Sequence, residues 1–217
     1  MSITATQMSE TRVSSPRDIE PLTLGDQLEG WMNRSGEKTL GSLVEAFGEK
    51  SFAILFVVLL GVPALPLPTG GATHVFEVIA ALIALELIAG RREVWLPRRW
   101  RGLSLSGEKM QRFLASLTRL VRRLERFSRP RLAFLFRHRI ADVVFGLLVI
   151  GGAAAAFVAP PFSGLDTLPA LAVVLVSLAV LFEDALIAAA GMLVGTTGVV
   201  LEIVLGAAAV QGISSLL

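Results

Sequence analysis

Charge-free apolar runs cover residues 51–73, 143–165, 167–182, 185–201 and 203–217 of the chain. None carries the polar stripe of a helix on the surface of a soluble core, and runs of this kind read as segments in lipid. Two Pro/Gly-rich stretches, VPALPLPTGGATH at 62–74 and VAPPFSGLDT at 158–167, interrupt the pattern at matching places in two halves. At a constant offset of 93 residues Gly71 falls on Gly164, Ala84 on Ser177 and Arg91 on Asp184. A membrane helix broken twice in equivalent positions points to a site near mid-bilayer. The pattern predicts an all-α fold: a polytopic integral membrane helical bundle with a duplicated unit of short broken or re-entrant helices, plus an amphipathic cytoplasmic helix.

The pattern divides the chain into a disordered cytoplasmic tail (1–22), amphipathic cytoplasmic helices (23–50), a first membrane repeat (51–90), a basic cytoplasmic loop with an amphipathic helix (91–139), a second repeat (140–184) and C-terminal membrane segment(s) (185–217). Thr23 and Thr39 each precede a short apolar period and are placed to cap it. Phe52–Leu67 is too short to cross a hydrocarbon core of about 30 Å and ends in Pro63, Pro66 and Pro68, so it reads as short or re-entrant. Hairpins of this kind open the option of an inverted arrangement of the halves. In the loop, Met110, Phe113, Leu114, Leu117, Leu120, Val121, Leu124 and Phe127 recur at three- and four-residue steps, with Ser106 as expected cap. Two readings fit that helix: lying in the membrane interface with its arginines at anionic headgroups, or docked on the cytoplasmic ends of the bundle. The last 33 residues are too long for one crossing, and a break is expected at GTTG, 195–198.

Composition agrees: 53% of residues are hydrophobic and mean hydropathy is +0.69. The absence of cysteine excludes disulfides, Cys-ligated metal and a thiol nucleophile, and nothing implies a metal or cofactor. The net charge of +2 hides an asymmetry, because 15 of the 20 Lys and Arg residues lie between Arg91 and Arg139. That block marks a cytoplasmic loop. The polar first 20 residues hold no apolar signal core, so the amino terminus is expected in the cytoplasm. Beside membrane segments the nearest anion is a lipid headgroup, with Arg119, Arg122, Arg123 and Arg126 as contacts; nucleic acid is not expected.

Ionisable residues inside a bilayer face a cavity or a partner. His74 and Glu77 share a helix face directly after Gly70, Gly71 and Thr73. Free N–H groups there, with the helix dipole and His74, form a candidate anion site, against the reading that Thr73 or His74 merely caps the helix. Asp166 is expected to cap its own helix through its carboxylate, making the second break a poor anion site. Glu86 is read as pairing with Arg91 or Arg92 near the cytoplasmic end. Glu183 and Asp184 are read as solvated at an interface. Glu202 shares a face with Gly191, Gly195, Gly198 and Gly206, small residues that allow close helix contact and a homo-oligomer.

TLGSLVEAFGEKSF, PALPLPTGGAT, ELIAGRREVWLPRRW, RLERFSRPRLAFL and APPFSGLDTLPALAVVLVSLAVLFEDAL, in this order over about 150 residues from Thr39 to the second half, resemble the ExoD family of bacterial exopolysaccharide-synthesis membrane proteins. The chain departs from that pattern at Gly70 and at Glu86, where an amide is frequent. The resemblance implies participation in exopolysaccharide synthesis at the bacterial inner (plasma) membrane, without supplying a reaction. Two roles follow: transporter-like movement of an anionic or lipid-linked substrate, or a non-transport scaffold or assembly factor for synthesis enzymes. With His74 and His138 as the only histidines and no HExxH, the acid–base inventory is too thin to point to an enzyme.

Overall fold

The computed structural model of the chain describes residues 23–65, 74–128, 132–159 and 166–214. Helices α1 (Leu24–Asn33) and α2 (Leu40–Phe47) start where their threonines put them. Thr23 Oγ1 accepts from the Asp26 N–H, and Thr39 with Ser42 forms a reciprocal capping box. A 3-10 turn at Gly48–Lys50 leads into α3 (Ser51–Gly61), every residue of which is buried. A helix apolar on all sides is stable in the centre of a bundle, and α2, α4 (His74–Ile88) and α8 (Thr167–Phe182) surround this one. The remaining helices are α5 (Arg98–Arg101), α6 (Glu108–Phe127), α7 (Arg139–Val158) and α9 (Ala185–Ser214).

The 93-residue offset reappears in the geometry. α4 starts at His74 and α8 at Thr167; each ends on a left-handed residue, Gly90 (φ 91°) and Glu183 (φ 51°). α3 lies against α8 and α4 against α7. That is the exchange of partners made by a two-fold axis relating α3 to α7 and α4 to α8. One cleft is lined by the first residues of α3 and α7 together with the last of α4 and α8. Both halves therefore leave the same end and return to it, so their sense is parallel and the inverted option is closed. We call this the basic end, and the opposite one the far end.

Among the described residues two helices, α7 and residues 185–208 of α9, are long and apolar enough to cross a membrane. α3, α4 and α8, with 11, 15 and 16 residues, measure roughly 16, 22 and 24 Å at about 1.5 Å per residue. The outer surface is two-sided. Exposed Val75, Val78, Leu82 and Leu85 on α4 continue into exposed apolar side chains of α7 and α9. On the other flank α1, α2, α5 and α6 carry the charges, with Arg101 paired to Glu45 at 2.7 Å and Arg122 to Asp26 at 3.3 Å and to Glu29.

The amphipathic helix α6 docks on protein. Its Met110, Leu114, Leu117 and Val121 are buried, Thr118 Oγ1 meets Met32 Sδ of α1 at 3.4 Å, and Phe113 lies over Gly61 near the end of α3. At its other end Ser128 Oγ donates to Asp184 Oδ2 at 3.2 Å. It thus runs along the bundle flank instead of under its cytoplasmic ends, with most of its apolar stripe covered by protein and Leu120 and Phe127 left exposed. Burial decides this, since each Leu or Val is worth about 1.5–3 kcal/mol and exposed ion pairs about 0–1. Gly107, not Ser106, precedes the helix, and no side chain caps it.

The expected break at 195–198 is absent, and α9 is continuous. The hydroxyls of Thr196 and Thr197 donate to the carbonyls of Met192 and Leu193 one turn back, at 2.9 and 2.8 Å, which accommodates both threonines inside a helix. Three glycines of the proposed subunit face are occupied within the chain. A Cβ on Gly191 would meet Val176, on Gly195 Ala172, and on Gly198 Leu168 and Pro169, whereas one on Gly206 meets nothing. Small residues here let α9 close onto α8.

Candidate functional site

Gly70, Gly71 and Thr73 lie outside the described residues. Immediately after them, the first turn of α4 brings His74 Nδ1 within 2.8 Å of Glu77 Oε2. The i, i+3 spacing puts both on one face. Glu77 is 1% exposed, and the His74 ring is tilted against that of Phe157, at the end of α7, with centroids 4.8 Å apart. A buried carboxylate is costly in isolation and the imidazole is its partner. An anion arriving at His74 therefore meets a carboxylate already there.

The same far end holds Asp166 and Glu202. Asp166 precedes α8, but its carboxylate makes no capping hydrogen bond; only its backbone carbonyl is used, by the Ala170 N–H at 3.2 Å. The physical reason is its backbone: φ −61°, ψ −26° is already helical, whereas side-chain capping needs an extended residue. Glu202 lies close enough to Asp166 to feel its charge. Its Oε1 is buried, with no hydrogen bond reaching it among the described residues. One titratable pair and two further carboxylates thus collect where α4 and α8 begin.

At the basic end the side chains are structural as well as charged. Glu86 Oε2 accepts from the Trp95 N–H at 2.8 Å and lies 3.9 Å from Arg91 Nε, close to the pairing expected of it. Asp184 is not solvated: it is 3% exposed and accepts from the Leu186 N–H at 2.9 Å, capping α9, as well as from Ser128. An Asp directly before an apolar helical run is a start signal that spacing alone makes readable. Arg139 had no such signal. From the start of α7 it donates to the carbonyls of Leu87 (3.4 Å) and Ile88 (2.6 Å), the open C-terminal end of α4, 51–52 residues away. Gly90 lies beneath it, and a Cβ there, 2.5 Å from the guanidinium, would make the arginine swing aside.

Of the four arginines proposed for headgroups, Arg122 is held by Asp26 and Glu29, and Arg119 reaches Ser116 Oγ and the Ala115 carbonyl on its own helix. All four are on the exposed side of α6. Glu125 of the same helix accepts from the Gly25 N–H at 2.8 Å, placing a carboxylate at the positive end of α1.

A family model described as "Exopolysaccharide synthesis, ExoD" matches residues 24–204. A protein of Rhizobium meliloti named Protein ExoD is 34% identical over 180 residues, covering 81% of this chain and 75% of that one. An uncharacterized protein of Synechocystis sp. is 31% identical over 161 residues, 74% of this chain and 75% of its own. No solved structure matches.

Proposed function

The chain belongs to the ExoD family, whose model is described by exopolysaccharide synthesis, and on that footing we propose that it is a multi-pass protein of the bacterial inner membrane, transporter-like for an anionic or lipid-linked substrate of that synthesis. The observation that carries this reading is the His74–Glu77 pair at the start of α4, its carboxylate buried and its imidazole one-third exposed at 33%. A titratable pair inside apolar surroundings, directly beyond a helix break, is the place where a proton can be exchanged for movement of substrate. The 93-residue correspondence of α4 with α8 supports a duplicated unit, and the concentration of Lys and Arg in 91–139 supports a cytoplasmic basic end.

The test is the exopolysaccharide output of cells whose only copy carries His74→Ala or Glu77→Gln, with the amount of protein in the membrane as control. Output should fall at least tenfold at near-normal abundance. Normal output from both variants would remove the basis of the coupling role.

A scaffold role has one observation in its favour, the outward Arg119, Arg123 and Arg126 on a helix whose apolar face is already used. Under that reading Arg123→Glu with Arg126→Glu abolishes output while the His74 and Glu77 variants retain it.

A further inference from the structure

The basic-end cleft has a volume of 1020 Å³, within the size range of ligand sites. Its lining carries both signs of charge: Lys50, Arg91, Arg92 and Arg139 against Glu49, Asp142 and Glu183. Beside it an apolar groove of 590 Å³ lies between α7, α8 and α9, and the two share Phe136, Asp142 and Val180. A second apolar groove, of 480 Å³, continues the first through Leu148, Val176 and Met192, along glycines of α7 and α9. The charged cleft therefore adjoins an apolar surface groove along α7 and α9, two helices long and apolar enough to cross a membrane.

We infer that this continuous cleft binds a lipid-linked glycosyl phosphate. The inference rests on the reading of the protein as a component of polysaccharide synthesis, but uses a different place in the fold from His74 and Glu77. Each part of such a molecule has a matching wall. A phosphate diester is held by Lys and Arg through charge-assisted hydrogen bonds. Sugar hydroxyls are donors that carboxylates accept, which gives Glu49 and Asp142 a use that a bare phosphate does not. The hydrocarbon chain lies in the apolar grooves, whose lining among the described residues is apolar except for Asp142 at the shared mouth, His138 and Thr196. A free sugar phosphate would leave the grooves without an occupant, and a simple anionic phospholipid would leave the carboxylates facing its phosphate.

The full chain in nanodiscs of neutral phospholipid provides the test, with bound lipid counted by native mass spectrometry. The probes are polyprenyl phosphate hexose, polyprenyl phosphate and phosphatidylglycerol. The hexose lipid should bind about tenfold more tightly than either of the other two. Lys50→Gln with Arg92→Gln should weaken it about tenfold, as should Met192→Trp, which fills the channel from an exposed position without touching the charged chamber. Equal binding of phosphatidylglycerol, or hexose-lipid binding unchanged in both variants, overturns the inference. His74→Ala should bind the hexose lipid normally, so loss of output in that variant and loss of binding in these report on separate claims.

Discussion

The two halves of the bundle begin from the same hydropathic pattern and end in different roles. α3 has 11 residues buried on every side, whereas its counterpart α7 has 20 and presents Val144, Leu147, Leu148 and Phe157 outward. α4 ends on Gly90 with a guanidinium over its last carbonyls; α8 ends on Glu183, a side chain held left-handed, followed by a buried Asp184. Equivalent positions therefore differ in what surrounds them and not in their own apolarity. Helix starts and turns recur at the 93-residue offset, while the layer of α1, α2, α5 and α6 on one flank turns the first unit into a core and leaves the second as an outer wall.

Substitutions at paired positions test that contrast. The largest difference is expected at Gly61 and Ala154, which are 93 residues apart. Gly61→Val should lower the stability of the purified protein in detergent by about 3 kcal/mol, because Phe113 leaves a Cβ only 1.9 Å. Ala154→Val, on an exposed face, should stay within about 0.5 kcal/mol. Equal losses would mean that both first helices are core.

Next come Asp184 and Arg91. Asp184→Ala removes the cap of α9 and the partner of Ser128 and should cost about 1–2 kcal/mol. Arg91→Ala breaks one exposed ion pair and should cost below about 1 kcal/mol in the same unfolding measurement. A reversed order would contradict the assignment of the second return to a buried cap. The smallest effect is expected at Glu183, one of the two left-handed residues. Gly90→Ala should destabilise by about 1 kcal/mol, whereas Glu183→Gly should change stability by only a few tenths, since relief of a left-handed backbone unfavourable for a residue with a Cβ works against loss of the side chain's interactions. Destabilisation by Glu183→Gly as large as that of Gly90→Ala would show that its side chain does more than offset its backbone.

The features legible in the sequence are those whose cause is local. Thr23 and Thr39 cap because a hydroxyl before an apolar period has N–H groups within reach, and His74 meets Glu77 because three residues is one turn. The offset of 93 was readable from the two breaks because Pro and Gly disrupt helices wherever they fall. What escaped depends on partners distant in the chain. Arg139 closes α4 from 51 residues away, Glu125 closes α1 from 100, and Phe113 finds Gly61 across the α5 segment. Two expectations failed on backbone detail, Asp166 because its own dihedrals turn the carboxylate from the helix and Thr196–Thr197 because hydroxyls bonded to the preceding turn do not break one. The stripe on α6 was read correctly as apolar, but periodicity does not distinguish a lipid surface from a protein one.

The reach of Arg139 bears on the order in which the chain is assembled. The carbonyl of Ile88 emerges from the ribosome long before the guanidinium that satisfies it, and α3 emerges before the α8 that covers it. Domains of soluble proteins commonly complete their amino-terminal part first during synthesis. Here the first unit stays open, its central helix uncovered on the α8 side, until translation has passed residue 182. A chain stopped after Arg139 is accordingly expected to be degraded or held by an insertion factor, with α3 cut readily in limited proteolysis, and co-expression of residues 132–217 as a separate piece should restore its protection.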